Sequence, residues 1–357
     1  MTRPTTAHIY LDRLVHNLRV LQKIQNNGII PVVKANAYGH GSVACARALE
    51  PLVSLFAVAS LDEAFELRAH GIDKPIVLLE GVFDASEWPE LAPARMIPVV
   101  HHSSQWACAP ASLQGFLGLW LKVDTGMHRL GFTPSEALKL GERWDQLWPK
   151  IPKVLMTHFA RADESDAALM TGPWDRFVAC LQHLPWDSSV ANSATLLGHH
   201  QQRGNWARPG IALYGINPLI HSKNVIDLRP VMRLCSQIQW IKWIESNEPI
   251  GYGGIFRTKR KTRLGIIPCG YGDGYPRLAP EGTPVWVSGA RVPLIGRVSM
   301  DMLTVDLTDF PWVQSGDAVE LWGDAVSVVE IAKSVGTLPY ELLCQIRRAH
   351  QVIHPCE

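Results

Sequence analysis

Short apolar runs alternate with longer amphipathic stretches through the first 230 residues of this 357-residue chain. The runs have the length of buried strands, and the stretches between them have the apolar spacing of helices. Ser60 with Glu63, and Thr133 with Glu136, form capping-box patterns that begin helices. Eight such units favour a closed (β/α)8 barrel over an open sheet. Its strands are expected at 29–33, 56–59, 76–79, 97–100, 119–123, 153–156, 189–191 and 206–207.

The pattern changes near residue 231. The segment 233–244 is one long extended run, and turns rich in glycine and proline then separate several short strands. We therefore predict two domains, a barrel at 1–230 and a β-rich domain at 231–357. A further strand, at 7–11, precedes the barrel units, and its assignment to the second domain stays open.

Charge and cysteine content argue against several classes of function. A formal net charge of +1 gives no long-range field for nucleic acid or an anionic membrane, and the basic run 259–263 is typical of a solvated loop. Seven scattered cysteines without a C-x-x-C pair indicate a reducing compartment and no metal site. The sequence has neither an apolar leader nor a run that could span a bilayer, so we expect a cytoplasmic protein.

Polar side chains follow the predicted barrel strands at their carboxyl ends. In a barrel those ends converge on one rim, where active sites are built. The sequence thus predicts a site on this rim. The side chains concerned are Lys34, Lys122, His158, Asn192, Ser193 and Arg208.

The strand-end lysine is the most specific of these features. Lys34 lies in the run PVVKANAYGHG, at 31–41, between a buried strand and a glycine-containing turn. Lysine condenses with aldehydes, so this setting suggests a Schiff-base site, although an isolated lysine is more often an ordinary surface residue. A second glycine-rich run, 270–277, lacks the Lys-Ser/Thr ending of a phosphate-binding loop and is better explained as a turn.

The run 33–41 resembles the pyridoxal-phosphate attachment motif of alanine racemases. Two more stretches, 121–131 and 296–301, are similar to other motifs of that family, and the resemblance covers essentially the whole chain. It implies pyridoxal 5'-phosphate as the cofactor, interconversion of L- and D-alanine, and a homodimer with shared active sites. D-Alanine would serve peptidoglycan synthesis or be degraded.

The resemblance also implies which residues bind the cofactor. Lys34 would hold it covalently, and Arg208 would face its ring nitrogen. A guanidinium, with a pKa above ~12, donates a hydrogen bond there without giving up its proton, which weakens the ring as an electron sink and favours reprotonation at Cα. The phosphate would lie among Tyr38, Asn192, Ser193, Gly210 and Ile211.

Racemisation needs a proton carrier on each face of the reacting carbon. The resemblance assigns Lys34 to one face and Tyr252 to the other, with His158 and Arg208 supporting the tyrosine. Two rival functions stay open: an amino-acid decarboxylase of the same fold, which expects an acidic partner for the ring nitrogen, and a non-catalytic carrier of the cofactor, which has no use for Tyr252.

Substrate contacts are implied in the same way. Arg129 is the natural clamp for a carboxylate because its fork pairs two oxygens. Lys122 nearby would repel it, unless a carbamate makes that lysine anionic. Tyr271 is implied to narrow the substrate entrance. Met300 and Asp301, like Tyr252, are implied to reach the active site of a second subunit. Near the carboxyl end, Arg347 and Arg348 stand where many relatives carry a tyrosine.

Overall fold

The computed structural model describes residues 3–25, 28–164, 166, 168–219 and 226–356. The chain divides into two compact units. One is Arg13–Arg229, and the other combines Met1–Asp12 with Pro230–Glu357. Strand β1 (Thr6–Tyr10) belongs to the second of these.

The unit Arg13–Arg229 is a closed parallel barrel. Its strands are β2 (Gly28–Ile29), β3 (Phe56–Val58), β4 (Ile76–Leu78), β5 (Met96–Val100), β6 (Leu119–Lys122), β7 (Lys153–Met156), β8 (Asp187–Ser189) and β9 (Trp206–Ala207). Strands β3 to β8 form one parallel sheet in chain order, and β2 pairs with β9. A bridge between Val32 and Ala57 joins the segment after β2 to β3, and the N–H of Arg208 donates to the carbonyl of Ala191 at 2.7 Å beyond β8 and β9.

Helices cover the outside of these strands, which explains why the strand sequences are continuously apolar. Every residue of β3, β4, β5 and β6 is buried. Among the described residues, the right-handed helices of four residues or more are Leu11–Ile24, Ser42–Leu49, Leu61–Ala69, Trp88–Leu91, Ser103–Ala107, Pro134–Leu147, Ala168–His183 and Ser193–Gly198; Lys34–Gly39 is a left-handed turn.

Of the two capping boxes predicted in this unit, one forms and the other does not. The capping box of Thr133 and Glu136 is confirmed. The one expected at Ser60 is wrong, because among the described residues its side chain receives no cap hydrogen bond and Glu63 binds elsewhere. Likewise, the strand predicted at 189–191 ends at Ser189.

The other unit is rich in β-structure. Besides β1, its elements are β10 (Met232–Gln237), β11 (Trp240–Ile244), β12 (Pro249–Ile250), β13 (Phe256–Arg257), β14 (Thr262–Ile267), β15 (Pro284–Val287), β16 (Ala290–Pro293), β17 (Leu303–Asp306), β18 (Ala318–Trp322), β19 (His350–His354) and the helices Val328–Val335 and Pro339–Cys344. A six-stranded sheet has the order β16-β15-β18-β10-β1-β19, and β11, β14 and β17 form another sheet. The predicted single run 233–244 is two strands in different sheets, β10 and β11.

Candidate active site

Lys34 follows the barrel directly. The N–H of the preceding Val33 donates to the carbonyl of Ala57 at 2.9 Å, which fixes the backbone at the end of the strand. The next four residues, from Ala35 to Tyr38, have φ between 51° and 54°. Each non-glycine residue in this left-handed conformation costs about 1–2 kcal/mol. The half-buried lysine is therefore held by a turn that its own sequence does not favour.

Backbone N–H groups converge beside Tyr38. The hydroxyl of Ser193 accepts hydrogen bonds from the N–H groups of Gly210 at 3.1 Å and Ala212 at 3.2 Å. A Cβ placed on Gly210 would lie 2.2 Å from the Tyr38 hydroxyl, so a larger residue has no room there. Asn192 caps the helix Ser193–Gly198 by accepting from the N–H of Thr195 at 2.9 Å. Hydroxyl and N–H donors in this arrangement suit a phosphate.

Arg208 is buried inside the barrel. Its guanidinium donates to the carbonyl of Thr157 at 2.8 Å and to the hydroxyl of Ser189. The side chain is 4% exposed, and burial lowers its pKa to about 9. It thus stays cationic at neutral pH. Neither of these partners is a carboxylate, so its positive charge is available to a ligand.

His158 lies near several positive charges. Burial is the main reason why its pKa lies well below the usual value, and four cations lower it further. The imidazole is consequently neutral near pH 7. The cations are Arg208, Lys122, Arg129 and Lys34.

Lys122 is part of the same group. It is 5% exposed, and its pKa falls to about 8, first because of burial and then because of Arg208, Arg129 and Lys34. Asp124 acts in the opposite direction. The carboxylate of Asp124 is engaged with its own loop, where it accepts from the N–H groups of Gly126 and His128. A cluster of cations around a neutral imidazole is suited to a ligand with several negative charges.

The β-rich unit presents the remaining predicted residues. Tyr252 is 70% exposed, and Met300 is 52% exposed. Tyr271 lies beside Met300, because the N–H of Tyr271 donates to the carbonyl of Ser299 at 3.1 Å and that of Gly272 to the carbonyl of Met300 at 2.9 Å. Tyr271, Met300 and Asp301 are therefore brought together by a backbone contact between two turns.

An ionic network holds these two turns. Asp273 is 1% exposed and pairs with Arg348 at 2.9 Å and with Arg3 at 2.7 Å. Arg348 also reaches Asp301 at 2.6 Å. The sequence alone pointed to neither Arg3 nor Asp273, and it gave no role to Arg348. Residues 3, 273, 301 and 348 are far apart in the chain, so no local pattern shows that they form one network.

Comparisons with known proteins agree over the whole chain. Residues 9–218 match the family described as "Alanine racemase, N-terminal domain", and residues 231–354 match "Alanine racemase, C-terminal domain". An alanine racemase of Azoarcus sp. is 47% identical over 350 residues, which cover 97% of this chain and 98% of that protein. A catabolic alanine racemase of Pseudomonas putida is 45% identical over 350 residues, with the same coverage.

Solved structures give the same result. The biosynthetic alanine racemase of Pseudomonas aeruginosa has a TM-score of 0.94 and 40% identity, covering 99% of this chain and 100% of that one. The alanine racemase of Bartonella henselae with covalently bound pyridoxal phosphate has a TM-score of 0.90 and 29% identity, covering 98% and 99%. The predicted barrel followed by a β-rich domain is confirmed.

Proposed function

This chain belongs to the alanine racemase family, a pyridoxal-phosphate-dependent family, and we propose that it interconverts L- and D-alanine with Lys34 and Tyr252 as its two proton carriers. The observation that supports this most is the group of cations around the neutral imidazole of His158. These charges fit the phosphate of the cofactor and the carboxylate of the amino acid.

The side chains of the barrel rim fit the cofactor. Ser193 and Tyr38, with the N–H groups near Gly210 and Ile211, would hold the phosphate, and Lys34 would bind the aldehyde carbon. When bound, the cofactor supplies an aldehyde that condenses with amines and a ring that withdraws electrons from Cα. The room that glycine leaves in front of the Tyr38 hydroxyl is consistent with a tightly enclosed phosphate.

Arg208 favours racemisation over decarboxylation. A decarboxylase of this fold would be expected to place a carboxylate at the ring nitrogen, whereas here Arg208 would place a guanidinium there. Its hydrogen bonds to Thr157 and Ser189 fix its orientation. A guanidinium that keeps its proton leaves more negative charge at Cα, where a proton can return.

Lys122 would orient Arg129 as a carbamate. A lysine with a pKa of about 8 has a substantial fraction of neutral amine at pH 7.5, and the neutral amine is the form that adds carbon dioxide. The addition forms one C–N bond and releases one proton, which leaves an anionic carbamate. Three nearby cations, Arg208, Arg129 and Lys34, would stabilise that charge.

Tyr252 would act in the active site of a second subunit. Its exposure, together with that of Met300, is what a residue reaching into a partner chain requires. We therefore propose a homodimer in which Tyr252, Met300 and Asp301 complete the partner's site.

Within the described ranges no helix is long and apolar enough to cross a lipid bilayer. We propose a cytoplasmic location.

The test is proton exchange at Cα. L-Alanine is incubated with the holoenzyme in D2O, and loss of the Cα proton by NMR is followed together with a chiral assay for D-alanine. We expect both signals, and their loss in Lys34→Ala. Exchange without D-alanine would show that one proton carrier is missing, and no exchange at all would contradict the proposed function.

A further inference from the structure

The turn after Lys34 requires support from outside its own sequence. Ala35, Asn36, Ala37 and Tyr38 are consecutive non-glycine residues in the left-handed region, with ψ between 40° and 51°. In isolation L-residues avoid such a run because each Cβ approaches the following carbonyl oxygen. Strained backbone persists where surrounding contacts hold it, and such positions cluster at functional sites.

Glu63 supports the beginning of this turn. One carboxylate oxygen accepts from the N–H of Ala35 at 2.7 Å, and the other accepts from the N–H of Ala59 at 2.7 Å. Ala59 is itself tied to the next strand, because its carbonyl accepts from the N–H of Glu80 at 3.1 Å. One carboxylate thus connects the Lys34–Ala35 peptide to the end of the neighbouring barrel strand. Hydrogen bonds to a charged acceptor are stronger than neutral ones.

His40 supports the end of the turn. Its Nδ1 lies 2.9 Å from the carbonyls of both Ala37 and Tyr38, so the proton must be on Nδ1. The ring stacks on Tyr214 at 4.5 Å, and the Tyr214 hydroxyl donates to the carbonyl of Val32 at 3.0 Å. Burial lowers the pKa of His40 to about 4, so the imidazole keeps this neutral form at any physiological pH.

Asn36 supports the middle of the turn with two further hydrogen bonds. The side-chain oxygen of Asn36 accepts from the N–H of Ser42 at 2.8 Å, and its carbonyl accepts from the N–H of Gly41 at 3.0 Å. Of these supports, Glu63 is the one that acts next to Lys34. The peptide that it holds sets the direction in which the Lys34 side chain leaves the backbone.

We propose that Glu63 is a positioning residue that imposes the left-handed turn and thereby sets Lys34 relative to Tyr38. The inference rests on the proposed function, in which Lys34 binds the cofactor covalently and Tyr38 contacts its phosphate. Without the carboxylate, Ala35 is free to leave the left-handed region, and the lysine and the tyrosine lose their fixed spacing. Binding of both ends of one cofactor then becomes less favourable.

The first experiment compares Glu63→Gln with Glu50→Gln. Glu50 is a control for the loss of a half-buried carboxylate charge, because one of its oxygens accepts from the backbone N–H groups of Asp73 at 2.7 Å and Lys74 at 3.3 Å, away from the site residues. Apoenzyme is titrated with pyridoxal phosphate, and after borohydride reduction the modified lysine is identified by peptide mass spectrometry. We expect Glu63→Gln to weaken binding about tenfold, the effect of one lost charged hydrogen bond. Glu50→Gln should bind as the unmodified protein does.

The second experiment asks whether the effect acts through the turn. Ala35→Gly is added to Glu63→Gln, because glycine enters the left-handed region without a Cβ penalty. We expect the double variant to recover most of the lost affinity, an outcome that a general loss of stability would not produce. Equal binding by Glu63→Gln and Glu50→Gln, or no recovery in the double variant, would overturn the inference alone. Unmodified Lys34 in the parent protein would overturn the proposed function and the inference together.

Discussion

Gly210→Ala tests the predicted phosphate site by adding a single methyl group. The backbone of Gly210 lies outside the left-handed region, so alanine meets no positive-φ penalty there. Its Cβ, however, would lie 2.2 Å from the Tyr38 hydroxyl oxygen and 2.8 Å from Cζ. The tyrosine ring is buried and packs on Tyr214 at 4.9 Å, so it cannot move aside freely.

The size of the effect follows from this overlap. Forcing one extra methyl into a packed site costs about 1–3 kcal/mol of unfolding free energy. If these groups hold the phosphate as proposed, displacing them would also remove one charge-assisted hydrogen bond to it, which corresponds to about a 10- to 100-fold loss of cofactor affinity. We expect both effects, measured by urea unfolding of the apoenzyme and by cofactor titration.

Two variants make this prediction refutable. In Gly172→Ala the nearest atom to the new Cβ is 3.7 Å away, so this helical position should accept alanine without loss of stability or affinity. Tyr38→Phe removes the atom that is closest to the Gly210 Cβ, so the combined variant should lose less stability than the two single variants predict together. Purely additive losses would show that the clash with Tyr38 is not the cause.

Three further predictions concern other parts of the molecule. Because the pKa of Lys122 is about 8 in the folded protein against 10.5 for a free lysine, the unfolded chain binds this proton more tightly, and the unfolding free energy should rise with pH between those values. In apoenzyme free of carbon dioxide, Lys122→Met should remove that rise and add on the order of 3 kcal/mol to the unfolding free energy at pH 7; an unchanged pH profile from urea unfolding would contradict this. Arg348→Ala should destabilise the protein by about 1 kcal/mol in thermal unfolding. The loss is small because Arg348 is partly exposed and buried Asp273 keeps Arg3 as a partner. An equal effect of Arg347→Ala would refute a specific role for Arg348. Tyr252→Phe should lower racemisation by about 10²- to 10⁴-fold, the usual contribution of one acid–base group, while the variant still exchanges the Cα proton of one enantiomer in D2O; full racemisation would exclude the two-carrier mechanism.

The sequence by itself determined the barrel and the rim on which the candidate site is expected. Apolar runs and helical spacing are local properties, and they predicted all eight barrel strands to within a few residues. The carboxyl ends of parallel strands share one rim, so His158, Lys122 and Arg208 could be placed together before any distance was known. In the structure Arg208, Lys122, Arg129 and Lys34 all lie near enough to His158 to lower its pKa.

Tertiary contacts decided the features that local preference opposes or leaves open. Glu63 has the spacing of a capping box, yet its carboxylate binds Ala35, 28 residues earlier, and Ala59. The extended run 233–244 divides between two sheets, although nothing in its apolar pattern marks the break. The left-handed turn after Lys34 is the clearest case. L-residues disfavour it one by one, so it exists because hydrogen bonds from distant side chains outweigh the preference of its own backbone.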